Sequence, residues 1–461
     1  MMARMPQFLA GALIGAVLLV APPAFATTIE RVMSPGGIEI WLVQQKTVPL
    51  IAMDFAFRGG TSQDPADKAG VASLVAATID EGSGDLSSQA FHERLEAKAI
   101  ELSFSATRDY FSGSLRTMVE NKDEAFDLLR SSLTSPHFKE ADVERIRAET
   151  LAILRRESTN PDDLATRSWW ETAFAGHPYG RPTRGTLESV ATISADDLRT
   201  YVKDVFARDR LKVGMVGNID PATAGALVDK VFGTLPAHAS LREVPRIVPQ
   251  GLGRVLSVDL DVPQSIVMLG GNGIPRKDPD FMAAFLVNHI LGGGSLSSRL
   301  YSEVREQRGL AYSVYSTLVP LDATCLFMTA TATRAEAAPQ TLDVVMKEIR
   351  RLANNGPTAD ELAKAKSYQK GSFPLRFDTS TKIAAQLVLM QIEDLGIDYI
   401  NKRNGLIDAV TLADAQRVAK RLLDGGMLVA VVGRPAAALA KSDAPAAGTG
   451  ANGPPALLQT R

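Results

Sequence analysis

Cysteine is nearly missing from this sequence: Cys325 is the only one in 461 residues, which excludes an intrachain disulfide and a thiolate zinc cluster. An excess of charge is missing too. The 50 Lys and Arg residues stand against 52 Asp and Glu, a formal net charge of −2, so there is no basic footprint for nucleic acid. After residue 26 no apolar run reaches the roughly 20 residues that cross a bilayer. There is no Gly-x-Ser-x-Gly elbow, no Gly-Lys-Ser/Thr phosphate loop and no dinucleotide fingerprint. The five histidines (His92, His137, His177, His238, His289) are scattered, with no pair at helical ligand spacing. What is present is ordinary globular composition, 45% hydrophobic and 22% charged, which argues against disorder, collagen and coiled coil. At roughly 100–200 residues per domain, the length suggests two to four domains.

The two ends read differently from the middle. Arg4, the apolar run Phe8 to Val20 and the small-x-small site Ala24-Phe25-Ala26 predict a cleavable signal peptide over residues 1–26. With no Cys beside the cleavage site, a lipoprotein anchor is excluded, and the expectation is an exported, periplasmic protein with no membrane span after signal removal. A lone Cys suits an oxidising compartment. From Pro435 onward, Ala, Gly and Pro dominate, and residues 435–461 read as a disordered tail unable to offset its chain entropy by burial.

Between the ends, the chain repeats itself. Ser194-Ala195-Asp196-Asp197 opens a helical run followed by the apolar Leu211 to Gly217. Thr411-Leu412-Ala413-Asp414 opens another, followed by Met427 to Gly433. In both, a hydroxyl N-cap with an acid three residues on starts the helix, and a buried strand ends in Gly. The two glycines, Gly217 and Gly433, stand 216 apart. The starts of the halves match as well: Met53 to Phe57, Gly59-Gly60 and Asp64-Pro65 against Ile266 to Leu269, Gly270-Gly271 and Asp278-Pro279. This predicts two similar domains, 27–236 and 254–434, joined by a linker over 237–253 with Pro245, Pro249 and two glycines.

The helix after Asp64-Pro65, Lys68 to Thr78, resembles the zinc helix of the pitrilysin/insulinase/mitochondrial processing peptidase family. There a His-x-x-Glu-His pattern puts two imidazoles on one helix face and a Glu beside them to activate water. Here Ser73 and Ala77 stand at the His positions and Ala76 at that of the base. A further Glu ligand of the family, placed by the stretch Asn160-Pro161-Asp162-Asp163, falls at or beside Ile153. None of these four side chains is a usual zinc ligand or a competent base. His177, in Gly176-His177-Pro178-Tyr179-Gly180-Arg181-Pro182, also lies in a stretch similar to the family and reads as a loop residue.

The segment Gly292 to Val314, with Gly292-Gly293-Gly294-Ser295 and Arg305 to Tyr312 within it, closely resembles the family's C-terminal-domain signature. The resemblance runs from about Glu30 to Gly433. In the family an Arg and a Tyr seven apart reach the zinc site of the facing half, and the matching residues are Arg305 and Tyr312. A Tyr hydroxyl can donate to the oxyanion that forms at a scissile carbonyl, and a planar Arg can hold main-chain carbonyls of a peptide. Taken singly, Arg305 also reads as the partner of Glu303 or Glu306, and Tyr312 as a half-buried strand residue. Arg299 and Arg308 read as structural pairing residues. Ile100 to Thr107 resembles the strand that pairs with substrate in catalytic members.

The resemblance implies an α+β, sandwich-like fold of two duplicated domains, each a mixed β-sheet packed with helices, together half of a clamshell chamber. It implies no independent activity, no cofactor in this chain, and a partner subunit that carries His-x-x-Glu-His and the zinc. The pair would act on small unstructured peptides. Two further readings stay open: a non-enzymatic peptide-binding or scaffold protein of the cell envelope, and a peptidase with a relocated metal site.

Overall fold

The computed structural model describes residues 28–434. The expected signal peptide and C-terminal tail lie outside the described residues. Among the described residues, eleven strands form two sheets. The first contains β1 (Glu30–Met33), β2 (Glu39–Gln44), β3 (Leu50–Arg58), β4 (Glu101–Ala106), β5 (Tyr110–Met118) and β6 (Leu211–Gly217), in the order β1-β2-β6-β3-β5-β4. The second contains β7 (Val255–Val258), β8 (Gln264–Asn272), β9 (Ala311–Pro320), β10 (Cys325–Arg334) and β11 (Leu428–Val432), in the order β7-β11-β8-β10-β9.

The repeat seen along the sequence returns here as topology. Setting aside the extra edge strand β1, the sheets have the same order, with β2 and β7 parallel to β6 and β11 and every other pair antiparallel. Ser194 with Asp197 and Thr411 with Asp414 form reciprocal capping boxes on the helices Ala195–Val205 and Leu412–Leu423, which lead into β6 and β11. No helix among the described residues is long and apolar enough to cross a membrane.

Alternation along the strands sets the cores. In β3, Ile51, Met53, Phe55 and Phe57 face helices of their own half, and Phe57 stacks on Phe206 at 4.7 Å between ring centroids. In the second sheet Val267, Leu269, Phe327 and Val429 do the same.

The opposite faces are closed by an exchange. The helix Pro161–Ala173, from the first half, packs on β11 and β8, and the helix Ser380–Ile392, from the second, packs on β6 and β3. Each approach is made over a glycine. A Cβ on Gly270 would lie 2.4 Å from the Trp169 ring, and one on Gly214 would lie 2.7 Å from the Ala384 carbonyl. Residues 237–254 have no regular structure. They are held by backbone bonds such as Ile247 N–H to the Ala323 carbonyl at 3.0 Å.

Candidate functional site

The helix at which the family would hold zinc is Val71–Thr78. Its start is fixed by Asp64, whose two carboxylate oxygens accept from the backbone N–H groups of Gly70 (2.8 Å) and Ala72 (2.9 Å). Gly70 enters with φ 104°, a left-handed conformation that glycine adopts without strain. Asp64 is buried, and burial pushes its carboxyl up to about 7 despite these donors and Arg181.

On this well-formed helix the ligand positions are chemically empty. Ser73 donates its hydroxyl to the Thr183 carbonyl at 2.7 Å, a structural tie to the loop that carries His177. Ala76 is half-buried and Ala77 exposed, and neither has a donor atom. Ile153, expected at the further ligand position, is half-buried on the helix Glu140–Glu157, which packs against Val71–Thr78. Three alkyl side chains and an engaged hydroxyl do not fit zinc. Among the described residues no group of three or more His, Cys, Asp or Glu could hold a metal ion. His177 is buried and structural: one ring nitrogen bonds Tyr179 N–H at 3.1 Å and the other the Pro245 carbonyl at 3.0 Å.

The second half presents the opposite situation. After the glycines, the chain runs through a 3-10 turn, Ser295–Ser297, into a π-helical segment, Tyr301–Glu306. Gly309, at φ 60°, turns it into β9. Arg305 and Tyr312 meet there, with the guanidinium carbon 4.3 Å from the centre of the Tyr312 ring. The same guanidinium lies 5.0 Å from the ring of Tyr301, so two phenols flank it.

Competition among neighbouring charges decides what Arg305 does. Glu303 is taken by Arg308 at 2.6 Å and approached by Arg351 at 3.8 Å, while Glu361 binds Arg299 through two nitrogens. Arg305 has no ion pair among the described residues. Arg299 and Arg308 are the pairing residues their positions suggested.

Tyr312 is 80% exposed, and a break in strand register puts it there. Val314 faces Thr331 and Ala311 faces Thr333, so Tyr312 and Ser313 share one position opposite β10. Such a bulge re-aims a side chain. Thr331 and Thr333 pin it by donating to the carbonyls of Ser313 (2.8 Å) and Leu310 (2.7 Å). The corresponding pair in the first sheet, β4 with β5, runs from Glu101 to Ala106 without a break. The second copy alone has the bulge, at the tyrosine. β4, within the stretch Ile100 to Thr107, is an edge of the first sheet.

Tyr301 was not among the expected site residues. Its spacing, four before Arg305 on a helical segment, is the signal that would have found it.

Comparisons with known proteins agree with this geometry. The family described as "Insulinase (Peptidase family M16)" matches residues 41–187, and "Peptidase M16 inactive domain" matches residues 192–368. The chain is 27% identical over 376 residues to the "Non-peptidase homolog YmxG" of Helicobacter pylori, covering 81% of this chain and 86% of that one. It is 27% identical over 424 residues to an "Uncharacterized zinc protease" of Streptomyces coelicolor, covering 88% and 90%. Among solved structures, a peptidase M16 inactive domain from Pseudomonas fluorescens superimposes with a TM-score of 0.83 at 28% identity, covering 89% of this chain and 98% of that one. Matched by insulinase-type models in both halves, this chain belongs to the M16 peptidase family.

Proposed function

We propose that the protein is the non-catalytic, substrate-binding subunit of a two-chain zinc peptidase. It acts in the periplasm after export and presents Arg305 and Tyr312 to the active site of a partner that carries His-x-x-Glu-His. The substrates are small unstructured peptides. The single observation that carries this reading is a contrast within one chain: Ser73, Ala76, Ala77 and Ile153 offer no metal chemistry, while Arg305, with no ion pair among the described residues, lies against an exposed, bulge-presented Tyr312. Tyr312 would donate to the oxyanion at the scissile carbonyl, and Arg305 would hold a neighbouring carbonyl. The zinc and the water that it activates belong to the partner.

The test is reconstitution. The purified chain is mixed with a His-x-x-Glu-His member of the family from the same source, and hydrolysis of unstructured peptides is measured against each chain alone. Activity from the mixture only is expected; a partner equally active alone overturns the reading. The name of the Helicobacter relative, a non-peptidase homolog, is equally compatible with a second reading, a non-enzymatic peptide-binding or scaffold protein of the cell envelope. Peptide binding by the isolated chain, with no gain of hydrolysis from any such partner, would select it.

A further inference from the structure

The second half also encloses a cavity of about 240 Å³, bordered by the helix Phe281–Asn288, the far end of β9, the turn Phe373–Phe377 and the helices Ser380–Ile392 and Tyr399–Ala409. Four charged residues line it: Arg276, Arg376, Arg403 and Glu393. Glu393 is already engaged by Arg276 at 2.6 Å. Among the described residues the other two guanidinium groups, of Arg376 and Arg403, have no carboxylate partner.

Arg403 is the telling one, because it is only 3% exposed. Its terminal nitrogens donate to the Gln369 carbonyl (2.9 Å) and side-chain oxygen (3.3 Å), and its guanidinium carbon lies 4.1 Å from the Phe373 ring centre. All of these are neutral, whereas a buried charge ordinarily has a counter-ion. Burial, with repulsion from Arg376 and Arg276, holds this guanidinium below its ordinary value. Arg376 is exposed at the rim and has no ion pair among the described residues.

The rest of the lining narrows the ligand. Phe281, Phe285, Phe373 and Tyr399 supply aromatic walls. The volume falls below the roughly 300–1,000 Å³ of pockets that hold a whole small molecule, so it suits the end of a chain. Thr317, Leu318 and Pro320 of β9 also line it. β9 is one of the two edge strands of its sheet, and such an edge can pair with an extended peptide.

We propose that this cavity binds the C-terminal carboxylate of an extended peptide on Arg376 and Arg403, with the apolar side chain of its last residue against Phe285 and Phe373. The guanidinium fork matches a carboxylate. The site needs no partner subunit, so it is tested on this chain alone and stands or falls apart from the subunit reading.

The experiment is calorimetric titration of the full chain with a hexapeptide ending in Phe as the free acid, the same peptide as its C-terminal amide, 3-phenylpropionate and inorganic phosphate. The free acid is expected to bind, with the amide weaker by about tenfold or more, the loss of a charged hydrogen bond. Arg376→Gln, on the exposed rim, is expected to weaken the acid by about tenfold and leave the amide unchanged. Equal affinity of acid and amide, binding of neither, or phosphate or 3-phenylpropionate matching the peptide overturns the proposal.

Discussion

Trp169 donates its indole N–H to the carbonyl of Leu428 at 2.9 Å, a bond between a helix of the first half and the last strand of the second. Its counterpart runs the other way: Gln391 donates to the Val213 carbonyl in β6, also at 2.9 Å. Each sheet thus owes one covered face to a helix encoded in the other half.

Trp169→Ala is therefore expected to destabilise the whole chain, by about 3–5 kcal/mol as for other buried large aromatics. Trp169→Phe keeps much of the packing but loses the indole N–H bond to the Leu428 carbonyl and should cost about 0.5–1.5 kcal/mol. Urea unfolding followed by circular dichroism measures both. A single transition that moves as a unit is expected; loss of the second half alone would show that the exchange does not couple the halves.

Tyr312→Phe removes one hydroxyl from an exposed ring, so the stability of the isolated chain should change by less than about 0.5 kcal/mol. In the reconstituted pair, turnover is expected to fall about 10²–10³-fold, the usual cost of losing an oxyanion donor. Peptide hydrolysis at saturating substrate separates the two effects, and unchanged turnover would remove Tyr312 from the chemistry.

Asp64 ties stability to pH. Its folded value, about 7, lies above the ordinary 3.8, so between these values the folded chain keeps a proton that the unfolded chain gives up. The contribution is fully present below about pH 4 and lost as pH rises through 7, a change on the order of a few kcal/mol. Asp54, raised by burial to about 6, adds a slope of the same sign. Denaturant unfolding from pH 4 to 8 should show stability falling, with a shallower slope in Asp64→Asn.

Chelation should leave the isolated chain as it was. With Ser73, Ala76, Ala77 and Ile153 at the family's metal positions, excess EDTA is expected to move the thermal midpoint by less than about 1 °C, since a ligand stabilises only in proportion to its binding. A larger downward shift would revive a relocated metal site.

Much of this was readable along the chain because it is local or periodic. The capping pairs Ser194 with Asp197 and Thr411 with Asp414, the strands after them and the alternation in β3 need only neighbours in sequence to be recognised. The exchange of helices was not readable, since nothing in Pro161–Ala173 tells which sheet its apolar face will meet. The partner of Arg305 was undecided for the same reason: Glu303 and Glu306 both stand close to it along the chain, and only the folded arrangement brings Arg308 and Arg351 to Glu303. The bulge at Tyr312 depends on counting residues against β10, a register that exists only once the strands pair.

The crossed helices carry one more implication. Cutting the unstructured stretch between residues 237 and 254 would sever the backbone without separating the pieces, because each fragment would still hold a helix clasped beneath the other's sheet. Produced singly, either fragment would bare an apolar sheet face, so neither is a module that evolution or an engineer can move alone.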